Sequence, residues 1–147
     1  MAELPNSPAA MLALMRNRSI EASPLTKWLG VDLIRCWDGE AELVIPIRNE
    51  LTQHYGTVHG GILGAAVDNV CAWAAASRVG PLVTAAYTIH FLEPARGTTL
   101  RAVGRVIRAG HRTAVISAEV FMEDGQKTVM AATALASVST IRTLATE

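Results

Sequence analysis

The stretch His59-Gly60-Gly61-Ile62-Leu63-Gly64-Ala65-Ala66-Val67-Asp68-Asn69-Val70-Cys71-Ala72-Trp73-Ala74-Ala75-Ala76-Ser77-Arg78 decides the fold. It reads as one long helix that opens at the paired glycines and is stopped by Gly80-Pro81. Leu63, Val67, Val70, Trp73 and the surrounding alanines leave it apolar almost all round. A helix apolar on every side is buried on every side. It is not a membrane span, because Ile62 to Ser77 is too short and holds Asp68 and Asn69.

The flanks say what buries it. Upstream, Val31 to Trp37 and Glu40 to Ile47 read as strands joined at Asp38-Gly39, a strong hairpin signal. Residues 48–58 are polar, carry Gly56 and read as a loop. Downstream come four strands: Leu82 to Leu92, Leu100 to Arg108, Thr113 to Met122 and Lys127 to Thr140. Ala109-Gly110 and Glu123-Asp124-Gly125 supply two of their turns. One helix among hairpin-linked strands gives an α+β class, with a curved antiparallel sheet wrapped around a long central helix. Residues 1–27 form an accessory start, with Ser7-Pro8 opening a short helix through Met11 to about Arg18 and Ser23-Pro24 breaking it. The main domain is expected over 28–142, and 143–147 is a polar tail.

Composition narrows the function. The 147 residues fit one domain and half are apolar. Thirteen basic and thirteen acidic side chains cancel, which gives no electrostatic case for nucleic acid or an anionic membrane as partner. Cys36 and Cys71 have no metal spacing and read as reduced, packed thiols; no metal site is expected. Glu3 precedes any apolar run, and Met11 to Met15 is too short for a secretory core, so a cytoplasmic protein is expected.

Asp68 breaks the pattern of its helix. Its same-face neighbours Gly64, Ala65, Cys71 and Ala72 cannot neutralise it, and an unpaired buried carboxylate is costly. Such violations mark functional sites. The plainer alternative is a structural carboxylate that binds a backbone N–H or a hydroxyl of a neighbouring subunit. At the helix start, Gly60 and Gly61 present bare N–H groups at the positive end of the helix dipole, the geometry that polarises a carbonyl as it becomes an oxyanion. Gly60 and Asp68 lie eight residues apart, roughly 12 Å at about 1.5 Å per residue. Both can act on one carbonyl only if the carboxylate comes from a second copy of the helix, which makes the protein at least a dimer.

At these residues the sequence resembles the hot-dog-fold acyl-CoA thioesterases, in particular the phenylacetate-pathway type. The likeness rests on Gly56-Thr57-Val58-His59-Gly60-Gly61-Ile62-Leu63 through Asp68, on Thr84 to Ala95 (TAAYTIHFLEPA) and on Arg105 to Thr113 (RVIRAGHRT), and covers about residues 24–140. It implies Asp68 as nucleophile or general base and the Gly60 N–H as the group polarising the thioester carbonyl. It implies Gln53 beside that carbonyl, His59 as organiser of the helix start, and Thr84 as the residue that orients the attacking water. Gln53, His59 and Gly60 would come from one subunit, Asp68 and Thr84 from the other. Plainer roles stand beside these: Gln53 satisfying loop backbone, His59 shaping the loop, Thr84 an ordinary strand residue. Gly61 is expected near the substrate. Arg108, His111 and Arg112 cluster at a turn where the family often meets the phosphates of coenzyme A, a task that suits the arginine fork; a solvated hairpin tip is the alternative. His54 and His90 have no assigned role.

The reaction implied is hydrolysis of an acyl-CoA to free acid and coenzyme A, with no cofactor beyond the coenzyme A carried by the substrate. The apolar helix and Trp73 fit a hydrophobic or aromatic acyl group, and the plainer role for Trp73 is a core residue. The resemblance further implies pairing of dimers into a homotetramer. A hot-dog hydratase or dehydratase and a non-catalytic acyl-CoA-binding module are the rival readings.

Overall fold

The computed structural model describes residues 3–141; the expected tail at 143–147 lies outside them. Strands β1 (Asp32–Trp37) and β2 (Glu40–Pro46) form the first hairpin. Asp38 and Gly39 both have positive φ, 44° and 84°, as the tightest right-twisting turn requires. The central helix, α3 (Gly60–Val79), follows a loop, and β3 (Leu82–Phe91), β4 (Thr99–Ala109), β5 (Thr113–Asp124) and β6 (Lys127–Thr140) complete the chain. The six strands form one antiparallel sheet in the order β1-β2-β4-β5-β6-β3. The helix enters the chain between β2 and β3, which therefore lie on opposite sides of the sheet's middle.

Alternation fixes which side of the sheet holds α3. Along β5, Ala114, Ile116, Ala118, Val120 and Met122 are buried and their neighbours are not. Small residues set how close the helix lies: a methyl group added at Gly104 of β4 would sit 2.8 Å from the carbonyl oxygen of Val70, so helix backbone rests directly on sheet backbone. Ser77 ties the first hairpin to α3, accepting from Gly39 N–H at 2.8 Å and donating to the Ala74 carbonyl at 2.7 Å. The opposite face of the sheet is charged, with Arg101 on Glu123 at 2.7 Å and Arg105 reaching Glu40 and Glu119.

Two readings from sequence change. Ser23-Pro24 does not only end a helix; it begins one. Ser7 and Ser23 each cap a helix with their hydroxyl, on Ala10 N–H and Thr26 N–H, and the prolines that follow open α1 (Pro8–Met15) and α2 (Pro24–Leu29). Between them Arg16–Glu21 continues as a π-helical stretch. Met11, Met15 and Ile20 of this segment join the same hydrophobic core as the sheet.

The second change concerns α3. One face is fully buried on the sheet, but Ile62, Ala65, Asp68, Asn69, Ala72 and Ala76 retain part of their surface. A six-stranded sheet curls around only part of a helix's circumference. Edge strand β3 is also open: it bonds β6 alone, and Val83, Tyr87 and Phe91 are 54%, 41% and 57% exposed.

Candidate active site

The loop before α3 is closed by its own side chains. Gln53 Oε1 accepts from Tyr55 N–H at 2.6 Å and Gln53 Nε2 donates to Thr57 Oγ1, leaving one amide hydrogen uncommitted. Gln53 N–H reaches the Thr57 carbonyl and Gly56 N–H returns to the Gln53 carbonyl, both at 2.8 Å. His59 N–H bonds the Leu51 carbonyl at 2.8 Å and Val58 N–H the Ala95 carbonyl at 2.9 Å, which fixes where the helix begins.

His59 is the N-cap of α3: its Nδ1 accepts the Gly61 N–H at 2.9 Å, while Ile62 N–H goes to the His59 carbonyl. The two glycines thus differ. The Gly61 N–H is consumed by the histidine, whereas the Gly60 N–H has no acceptor among the described residues. One bare donor stands at the positive end of a 20-residue helix.

Gly60, Gly64, Asp68, Ala72 and Ala76 follow one another at intervals of four along a single winding ridge. The glycine end lies beneath β3: a Cβ at Gly60 would meet the Phe91 ring at 3.1 Å, and one at Gly64 the Tyr87 hydroxyl at 3.0 Å. Register explains why those aromatics face the helix. A bulge between Thr84 and Ala86 shifts the alternation by one, so Leu82 and Thr84 before it and Tyr87, Ile89 and Phe91 after it all point inward. Thr84 is half-buried and sits at the bulge itself.

Asp68 occupies the middle of the ridge. Its Oδ1 is buried and has no hydrogen-bond partner among the described residues. The nearby thiol of Cys71 is pushed up to about 12, first by burial and then by the charge of Asp68; burial alone takes Cys36 to about 12. Neither thiol is a nucleophile near neutral pH. The described residues contain no group of three or more His, Cys, Asp or Glu placed to hold a metal.

Arg108, His111 and Arg112 are exposed on the β4–β5 hairpin, and Thr140 binds the carbonyls of His111 and Arg112. Val106 of the same hairpin packs near Gly39 and Arg78, at the C-terminal end of α3. The hairpin is therefore separated from Gly60 of its own chain by the length of the helix, roughly 30 Å at about 1.5 Å per residue. The chain keeps Gln53, His59 and Gly60 at one end, Asp68 at the centre and the basic turn at the other end. Tyr87 and Phe91 are ridge-facing residues that sequence reasoning passed over. Their signal was present in the strand's alternation, but the bulge at Thr84 hid its phase.

The thioesterase superfamily profile matches residues 55–129, the loop, α3 and the strands through the β5–β6 turn. The chain belongs to the thioesterase superfamily. It is a thioester hydrolase with the hot-dog fold. It is 33% identical over 110 residues to the acyl-coenzyme A thioesterase PaaI of Escherichia coli, covering 74% of this chain and 78% of that protein. The solved E. coli PaaI structure, a protein of the phenylacetic acid degradation operon, superposes with a TM-score of 0.83 at 26% identity, over 92% of this hydrolase and 97% of its relative. A thioesterase family protein of Silicibacter pomeroyi matches equally well, with a TM-score of 0.83, 26% identity and coverage of 87% and 96%. No helix among the described residues of the hydrolase is long and apolar enough to cross a membrane.

Proposed function

We propose that the protein hydrolyses acyl-CoA thioesters at two equivalent sites formed between the central helices of a homodimer. One observation carries this reading: a bare N–H at Gly60 and an unpartnered buried carboxylate oxygen at Asp68 lie on one ridge, about 12 Å apart, too far to meet within one chain. A two-fold axis near Gly64 runs the two ridges antiparallel and sets each Gly60 against the partner's Asp68. It also shortens the distance from each Gly60 to a β4–β5 hairpin from roughly 30 Å in its own chain to roughly 18 Å in the partner, so that Arg108, His111 and Arg112 of the Asp68-bearing chain face the nucleotide phosphates. The open edge of β3, with exposed Val83, Tyr87 and Phe91, supplies the contact surface.

In this arrangement the thioester oxygen lies on the Gly60 N–H, with the spare amide hydrogen of Gln53 beside it. Asp68 then takes a proton from a water held by Thr84, which adds to the carbonyl carbon, or attacks that carbon itself to give a mixed anhydride that water afterwards hydrolyses, freeing the acid and Asp68. The tetrahedral oxyanion forms at the helix N-terminus, where the dipole favours it, and collapses with expulsion of the coenzyme A thiolate. His59 holds the helix start through Gly61, whose role is therefore shape rather than donation. No cofactor is required, because coenzyme A arrives as part of the substrate. The enzyme acts in the cytoplasm, and its dimers pair into tetramers, which sedimentation at graded concentrations tests.

Subunit mixing tests the split site. Gly60 is the first helical residue, where proline is well tolerated, so Gly60→Pro deletes the donor while crowding the Phe91 ring, and Gly60→Ala controls for the crowding. Homodimers of Gly60→Pro and of Asp68→Asn should each be nearly inactive. A heterodimer keeps one intact site of two, so an equal mixture after subunit exchange should recover about one-quarter of wild-type activity. No recovery in verified heterodimers would sink the split site.

A further inference from the structure

We infer that Thr57 is a positioning residue for the hydrolysis, its hydroxyl aiming the spare amide hydrogen of Gln53 at the thioester carbonyl; this rests on the thioesterase reading above. Thr26, Thr57 and Ser77 are buried polar residues, and the first and last hold backbone. The Thr26 hydroxyl sits among the carbonyls of Ser19, Ile20 and Ser23, and that of Ser77 bridges Gly39 and Ala74. The Thr57 hydroxyl is different. It accepts from a side chain, the Gln53 amide.

The two residues stand opposite each other in a very small hairpin. Thr52 pairs with Val58 across it, and Gln53 N–H reaches the Thr57 carbonyl at 2.8 Å. Gly56, with a φ of 75°, closes the turn by donating to the Gln53 carbonyl. Thr57 therefore grips Gln53 twice, by its carbonyl on the backbone and by its hydroxyl on the side chain. His59 and Gly60 follow Thr57 by two and three residues, so the hairpin runs directly into the start of α3. Three residues span at most about 11 Å even when fully extended, which keeps the Gln53 amide and the Gly60 N–H in one neighbourhood.

Two bonds fix the amide. The Tyr55 N–H can only donate, so the atom it meets at 2.6 Å is the Gln53 oxygen, and the amide has one orientation rather than two. Its nitrogen then faces Thr57, whose hydroxyl oxygen takes one of the two hydrogens. An amide is planar, so with both ends held the second hydrogen has a single direction. Without the hydroxyl the amide is held at its oxygen alone and turns about that bond. A donor to a developing oxyanion works only within a narrow range of distance, and a displacement of roughly 1 Å costs up to about 10²-fold in rate.

The test is a double-mutant cycle on thiol release from an acyl-CoA that the wild type hydrolyses. Thr57→Val keeps the branched shape and removes the hydroxyl. It should lower kcat about ten-fold or more while KM stays within about two-fold, since the amide acts on the transition state. Thr57→Ser, which restores the acceptor, should return kcat to within about three-fold of wild type. In a Gln53→Ala background Thr57→Val should lower kcat no further. Thr57→Ala replaces the valine variant if that one does not fold, judged by its melting transition. A folded hydroxyl-less variant with wild-type kcat overturns the proposal. So does the same fall in kcat with and without Gln53, which makes Thr57 structural only. Gln53→Ala at the wild-type rate removes the Gln53 donor and the role of Thr57 with it. A wild type that releases thiol from no acyl-CoA removes the thioesterase reading itself.

Discussion

Leu63, Val67, Val70 and Ala74 of α3 are buried against the sheet, whereas Ile62, Ala65, Asp68 and Ala72 on the other side of the same helix keep part of their surface open. Both faces are built from small and branched apolar residues. The buried face satisfies its whole surface within one chain. The open face carries Asp68, whose buried oxygen has no partner among the described residues, and adjoins the unpaired edge of β3. Apolar character alone therefore does not say what a helix face packs on. A face that one chain leaves half-covered while it holds a desolvated carboxylate is open to a partner, and the proposed dimer places a second copy there.

The sharpest way to break this contrast is at Asp68. Asp68→Asn should lower kcat on the best acyl-CoA by about 10³-fold or more, since both general-base and nucleophilic roles need the carboxylate. Its melting temperature should match or exceed that of wild type, because an unpartnered desolvated charge is removed. A large fall in stability at retained rate would make Asp68 structural and erase the difference between the faces.

Gly60→Pro compared with Gly60→Ala isolates the donor. Alanine crowds the Phe91 ring but keeps the N–H, so proline should be slower than alanine by about 10²-fold or more in kcat. Equal rates in the two would show that Gly60 is needed only for space.

On the sheet side the expected effect is on stability alone. Gly104→Ala places a methyl group 2.8 Å from the Val70 carbonyl, and the backbone must move, at a cost of about 1–3 kcal/mol in a urea melt. Activity per folded molecule should be retained. On the open side, Val83→Glu adds a charge to the exposed edge of β3 and should leave monomer stability within about 0.5 kcal/mol. Sedimentation should show monomers, and activity should fall in step with dissociation. An active monomer would refute a shared site.

A separate prediction is a pH dependence carried by the buried thiols. Cys36 and Cys71 are raised to about 12 in the folded chain from an ordinary value of 9.0. Between those values the folded state holds protons that the unfolded state has lost. The thiols' contribution is therefore full below about pH 9 and is lost as pH rises towards 12. Urea midpoints should fall between pH 8 and pH 10.5, and Cys36→Ala should flatten part of that slope. A wild-type midpoint that is level across this range would show that the thiols ionise as readily folded as unfolded.

The sequence by itself determined the elements, their order and the odd carboxylate. Asp38-Gly39 demanded a tight turn, the apolar helix demanded a wrapping sheet, and Asp68 stood out because nothing along its own helix could neutralise it. Ser-Pro at 23–24 reads as a stop and is also a start, because one proline both prevents a helix from continuing and suits the first turn of the next. Only the tertiary structure decided which glycine keeps a free N–H, since the His59 side chain selects Gly61 through its own rotamer. It also decided which strand residues face α3, because a bulge that no local pattern announces turns Tyr87 and Phe91 inward. A cavity between α1 and α3, above Ala72 and Ala76, was beyond sequence altogether. It exists because two helices more than fifty residues apart in the chain meet without filling the space between them.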